Sequence, residues 1–286
     1  MGVARSGETM ARANGVDLCL DTFGDRADPC VLLIAGAACS MDWWEDELCL
    51  AIARLGRFVV RYDLRDTGRS VTYEPGAPEY TGADLVQDAI GLLDTLGVGS
   101  AHVVGLSMGG GIAQSLAILH PERVASLTLV STSPGGDDLP PASDELRELW
   151  AAPRPDPDWS NREEVVSYLV EDWRPYAGSL FDEARTREIA GRVFDRSRNV
   201  ASTVKNHWLI ESGEDNPGRA RLGEITAPTL VVHGTEDPFM PYQHGEALAR
   251  EIPGARLLPL VGMGHSFPPR ETWDTFVPAV LEHTAP

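Results

Sequence analysis

Positive charge is scarce in this sequence. Over 286 residues, 24 Lys and Arg stand against 43 Asp and Glu, a formal net charge of −19 and a pI near 4.7. A surface of that sign repels phosphate backbones and anionic lipid headgroups, which argues against nucleic-acid partners and a membrane-surface role. Long apolar runs are also missing, and none reaches the ~18–20 residues that cross a bilayer. Met1 to Met10 hold no apolar stretch of the secretory kind, so no signal peptide is expected. Cysteine is confined to Cys19, Cys30, Cys39 and Cys49, with no C-x-x-C pair. That spacing speaks against a zinc ribbon or a redox motif, and for buried or incidental thiols in the reducing cytoplasm. Repeats and low-complexity tracts are absent as well, and 43% hydrophobic with 23% charged residues is a globular mixture.

What is present is an alternation of short apolar runs and helix-length stretches. The runs are Val31–Ile34, Phe58–Tyr62, His102–Leu106, Leu127–Ser131, Thr229–His233 and Arg256–Val261. Near-continuous Val, Leu and Ile is how a parallel strand reads when helices cover both faces of its sheet. Helical stretches lie between them at Asp84–Leu96, Gly110–His120 and Tyr242–Glu251. The class is therefore α/β, with a mostly parallel sheet and helices on both faces. Ala13–Phe23 contains Asn14-Gly15, a hairpin turn signal, and is expected to form an antiparallel edge. The alternation breaks at residues 134–222. There, Pro- and Gly-rich stretches precede helical patterns at Glu163–Trp173, Phe181–Arg196 and Ala201–Ser212. This segment reads as a helical lid inserted into a core made of residues 1–133 and 223–286.

The sharpest motif is Gly105-Leu106-Ser107-Met108-Gly109, a G-x-S-x-G between a buried strand and a small-residue helix start. A serine there sits on a tight, strained strand-to-helix turn that lifts its hydroxyl clear of the chain. The hydroxyl needs a base, and the base needs an orienting acid. Later histidines are His120, His207, His233, His244, His265 and His283; only His265 follows a strand directly, in the loop Gly262-Met263-Gly264-His265. The acid belongs in the loop after Thr229–His233, where Asp237, followed by Pro238, is preferred over Glu236. Two backbone N–H donors complete such a site. Met108, after the nucleophile, supplies one, and Ala37 in the early loop the other, with Gly36 as its rival. Cys39 is close enough to line the pocket. Trp150, Trp159, Trp173 and Trp208, four of the seven tryptophans, fall in the insertion. From it Trp150, Trp173, His207 and Trp208 are candidates for the pocket wall.

These residues resemble the α/β-hydrolase superfamily over most of the chain. Tyr62-Asp63-Leu64-Arg65-Asp66-Thr67-Gly68-Arg69-Ser70 looks like the superfamily's D-x-R-G-x-G-x-S loop, with Asp66 where glycine is usual. Asp63 and Arg65 are expected to brace the nucleophile region. Within the superfamily the chain is similar to the aclacinomycin methylesterases, in Asp21-Thr22-Phe23-Gly24-Asp25, in the serine motif and in Gly262-Met263-Gly264-His265. The resemblance implies a serine carboxylic ester hydrolase for a small-molecule, apolar or aromatic polyketide-like ester, with no cofactor and no metal. The same three residues also serve lactone, C–C bond and amide or peptide hydrolysis, or acyl transfer. A non-catalytic ligand-binding protein of this fold is the reading from another class. Serine rather than aspartate at the elbow argues against carboxylate-nucleophile chemistry. Oligomeric state is not legible.

Overall fold

A computed structural model describes residues 3–152, 154–213 and 217–285. The apolar runs form a sheet of eight strands: β1 (Thr9–Ala13), β2 (Val16–Phe23), β3 (Cys30–Ile34), β4 (Phe58–Tyr62), β5 (Ala101–Leu106), β6 (Val124–Val130), β7 (Thr229–Gly234) and β8 (Arg256–Leu260). Their spatial order is β1-β2-β4-β3-β5-β6-β7-β8. β1 and β2 pair antiparallel around Asn14-Gly15, whose φ of 44° and 74° are those of a two-residue hairpin turn. β2 meets β4 antiparallel, and every later pairing is parallel. β8 closes the far edge, with Pro259 in a strand that has only one partner.

β3 and β4 are buried along their whole length, and their side chains divide by period two. Leu32 and Ile34 pack with α2 (Gly82–Leu96), α3 (Met108–Leu119) and α8 (Gln243–Glu251). Val31 and Leu33 face α1 (Asp46–Ala53) and α9 (Trp273–His283). All four cysteines are free and buried.

Between β6 and β7 the chain forms α4 (Asp144–Ala151), α5 (Arg162–Trp173), α6 (Glu183–Arg196) and α7 (Val200–Lys205), with no strand among the described residues. Val165, Val166, Ile189 and Val193 carry α5 and α6 into the core layer of α1 and α9. The helix expected from Phe181 starts at Glu183, because the Asp182 side chain caps it by accepting from the Arg185 N–H. The helix expected to run to Ser212 ends at Lys205 and continues as a 3₁₀ turn, Asn206–Trp208. Asn206 turns its amide onto Asp66 and the Gly76 N–H. Among the described residues no helix is long and apolar enough to cross a membrane.

Candidate active site

β5 delivers Ser107 to the top of the sheet, and α3 begins at the next residue. Ser107 has φ 52° and ψ −116°, a backbone state L-residues avoid unless their surroundings hold it. Its N–H donates to the Val130 carbonyl at 3.0 Å, and its carbonyl accepts from Thr132 Oγ1 at 2.8 Å. The flanking glycines are required by contact. A Cβ on Gly105 would stand 2.2 Å from the Gly109 carbonyl oxygen, and one on Gly109 2.5 Å from the Ile34 and Ala35 carbonyls. Gly111, one turn on, meets nothing within 4 Å. Gly109→Ala is accordingly expected to destabilise the protein by at least about 2 kcal/mol in chemical denaturation. Gly111→Ala should be neutral or stabilising, by up to about 1 kcal/mol.

Ser107, His265 and Asp237 come together. His265 Nε2 lies 2.9 Å from Ser107 Oγ, and its Nδ1 lies 2.8 Å from Asp237 Oδ2. Asp237 Oδ1 accepts the Phe239 and Met240 N–H groups at 2.9 and 2.8 Å, so both carboxylate oxygens are engaged. Burial pushes the Asp237 carboxyl up, but His265, His233 and the Met240 N–H outweigh it and hold it below its ordinary value. Glu236 points elsewhere, accepting from Ser179 N and Oγ at 2.7 and 3.0 Å. His233 is fully buried, bonds the Met240 carbonyl through Nε2 at 2.7 Å, and stands 3.5 Å from Asp237 Oδ2.

The His265 loop is held by the β6–β7 segment. The His265 N–H donates to the Tyr176 carbonyl at 2.6 Å, and Gly264 N–H to Ala177 at 3.0 Å. A Cβ on Gly264 would stand 2.1 Å from the Tyr176 carbonyl oxygen. Glycine here serves close backbone approach. The Phe239 ring meets the His265 imidazole edge to face at 4.8 Å.

A pocket opens over Ser107 and His265. Gly36, Ala37, Cys39, Trp173 and Trp208 line it, as do Ser107 and His265 themselves. Gly36 is pressed against Ser107: a Cβ there would stand 2.9 Å from Leu106 and 3.4 Å from the Ser107 Cβ. Burial pushes the Cys39 thiol up, which keeps it protonated beside the serine. As first residue of α3, Met108 presents an N–H with no intrahelical acceptor. Two expected wall residues do not reach this pocket. Trp150 is half exposed on α4, where its indole N–H donates to Tyr176 Oη at 2.7 Å and its ring meets Phe239. His207 is buried, with both ring nitrogens bonded to backbone. The wall also contains Trp43, Leu169, Val193, Val204 and Phe239, none of them anticipated. Trp43 and Trp173 pack with ring centroids 4.5 Å apart. These side chains converge from five separate stretches, and no local pattern marks them.

Asp63 and Arg65 brace loops around the site without touching Ser107. Asp63 accepts from the Met41 and Arg69 N–H groups, and Arg65 grips Asp88 on α2 through two bonds of 2.7 Å. Asp66 has φ 65°, the left-handed region that favours glycine. Its carboxylate offsets that strain by accepting from Tyr73 N, Tyr80 Oη and Asn206 Nδ2.

A mostly parallel sheet with serine on a strand-to-helix turn, acid after β7 and histidine after β8 defines the α/β-hydrolase class. Residues 29–269 match the family of the alpha/beta hydrolase fold, and the chain belongs to it. It is 33% identical over 299 aligned positions to a rhodomycin D methylesterase of Streptomyces sp. (strain C5), covering 96% of this chain and 97% of that one. A second rhodomycin D methylesterase, from Streptomyces peucetius, is 32% identical, with 94% and 95% covered. A solved hydrolase structure from Pseudomonas aeruginosa PA01 superposes with a TM-score of 0.72 at 28% identity, covering 98% and 99% of the two chains. The methylesterase resemblance read from the sequence agrees with these relatives, and the chain is a hydrolase.

Proposed function

We propose that this protein is a serine carboxylic ester hydrolase that works through an acyl-enzyme, with a methyl ester of an apolar or aromatic polyketide as its substrate class. The observation that carries the reading is the continuous bonding from Ser107 Oγ through His265 to Asp237 at the floor of an open pocket. The methylesterase relatives supply the substrate class, and the Trp43–Trp173 pair in the wall suits an apolar or aromatic acyl group. Ser107 Oγ attacks the ester carbonyl carbon as its proton passes to His265 Nε2. Asp237 holds the Nδ1–H tautomer that leaves Nε2 free to accept. The Ala37 and Met108 N–H groups receive the tetrahedral oxyanion. Collapse breaks the bond to the alcohol, which leaves with the proton from Nε2. Water, deprotonated by His265, then cleaves the Ser107 ester and releases the acid.

Residues 134–222 act in this reading as a cap over a core made of 1–133 and 223–286. The free, buried thiols suit a cytoplasmic enzyme. A fluorophosphonate is expected to label Ser107 stoichiometrically, seen by peptide mass spectrometry. Ser107→Ala should lose labelling and about 10⁶-fold in kcat on a methyl ester. An unlabelled Ser107, or full turnover by Ser107→Ala, sinks the proposal.

A further inference from the structure

The loop after β3 reaches Ser107 through a strained residue. Ala38 has φ 58°, which alanine holds only under constraint. The constraint comes from outside the core. The Ala38 N–H donates to His207 Nδ1 at 2.9 Å, and His207 Nε2 donates to the Arg65 carbonyl at 2.8 Å. An N–H only donates and a carbonyl only accepts, so these two contacts admit one state of the ring: neutral, bare at Nδ1 and protonated at Nε2. Burial lowers the His207 pKa and favours that state.

The turn carrying His207 is itself anchored. Asn206 donates to Asp66 Oδ2 at 2.9 Å and accepts the Gly76 N–H at 2.7 Å, and Thr203 Oγ1 donates to the Asp66 carbonyl at 2.6 Å. Tyr80 meets the imidazole edge-on at 6.4 Å. On the other side Trp208 lines the pocket over Ser107. Three consecutive residues thus join the Asp66 loop, the loop after β3 and the pocket wall.

We propose that His207 is a positioning residue for the oxyanion site. By taking the Ala38 N–H it fixes the neighbouring peptide, so that the Ala37 N–H is held ready for the oxyanion. Among the described residues no protein group accepts from that N–H. The inference rests on the ester-hydrolase reading, since it presupposes Ala37 as a donor.

Two substitutions separate the ring's two bonds. In His207→Asn the side-chain oxygen takes the place of Nδ1 and keeps the Ala38 bond, while the Arg65 bond is lost. In His207→Gln the amide nitrogen takes the place of Nε2 and keeps the Arg65 bond, while the Ala38 acceptor is lost. Steady-state kinetics on a methyl ester, thermal unfolding and fluorophosphonate labelling are measured for both and for wild type. His207→Gln is expected to lose ten- to hundredfold in kcat with KM within about twofold, because a transition-state donor is misplaced. His207→Asn should keep kcat within about threefold. Wild-type kcat in His207→Gln overturns the inference, as do equal losses of kcat in both variants that follow their melting temperatures. If wild type itself fails to label at Ser107, the underlying reading fails first; labelled wild type with kinetically silent variants removes only the role of His207.

Discussion

Asp237→Asn is expected to lower kcat by about 10⁴ while leaving the melting temperature close to that of wild type. The size follows from which atoms the new amide can satisfy. Asp237 Oδ1 accepts two backbone N–H groups, from Phe239 and Met240, and Oδ2 accepts from His265 Nδ1. Asparagine has one oxygen, and only that oxygen can take the two N–H groups. Its NH₂ is then turned toward His265, whose Nδ1 must become the acceptor. The ring proton moves to Nε2, where it faces Ser107 Oγ, and the base is gone. His233 offers the amide no acceptor, because its Nε2, 3.5 Å from Oδ2, already donates to the Met240 carbonyl. A wrong tautomer costs serine hydrolases of this kind about 10⁴ in kcat, some 5–6 kcal/mol of barrier. Glu236→Gln is the control. It alters only the tether to Ser179 and is expected to change kcat less than about threefold. Steady-state turnover of a chromogenic ester checks both. The reverse pattern, with Glu236→Gln crippled and Asp237→Asn active, would move the acid to the neighbouring residue.

The strands and the three residues at their ends were legible because each is written locally. β3 to β7 are covered on both faces, so they read as apolar runs. Ser107 announces itself by the glycines that its turn requires, and His265 and Asp237 by following strands directly. α1 and α9 escaped notice. α9 carries Pro278 inside it, which local rules read as a break, and α1 has only eight residues. Trp150 and His207 are pocket candidates by their place in the insertion, where an aromatic carries no local sign of which way it faces. Tertiary contact decided them. The indole N–H of Trp150 found Tyr176 Oη, and His207 found a backbone partner 169 positions away. The docking of the Tyr176 and Ala177 carbonyls on the His265 loop is equally invisible in sequence. It is made of backbone, and its traces are glycines, Gly264 and Gly178.

Arg196→Met is expected to destabilise the protein by about 3–5 kcal/mol, a drop on the order of 10 °C in melting temperature. Arg196 is the last residue of α6, and its guanidinium enters a cluster of core carboxylates. Nη2 donates to Asp63 Oδ2 at 2.8 Å and Nε to Glu8 Oε1 at 2.7 Å, while Nη1 bonds Asp42. Asp63 is fully buried and orients the chain on both sides, through the Met41 and Arg69 N–H groups at 2.9 Å. Burial pushes its carboxyl above the ordinary range, and Arg196 opposes that shift. Methionine replaces the volume but not the charge. Asp63 must then either remain ionised without its cation or take up a proton, and Asp42 and Glu8 repel each other across the vacated site. Either way the cost falls on the contact that joins α6 to the core and on Met41, just beyond the Ala37–Cys39 loop. A double variant, Asp63→Asn with Arg196→Met, removes the stranded charge as well. It is expected to recover part of the loss, so that the two substitutions are less than additive in chemical denaturation. Strict additivity, or a single variant as stable as wild type, would mean that apolar packing of α5 and α6 holds these helices in place and that this cluster only decorates the seam.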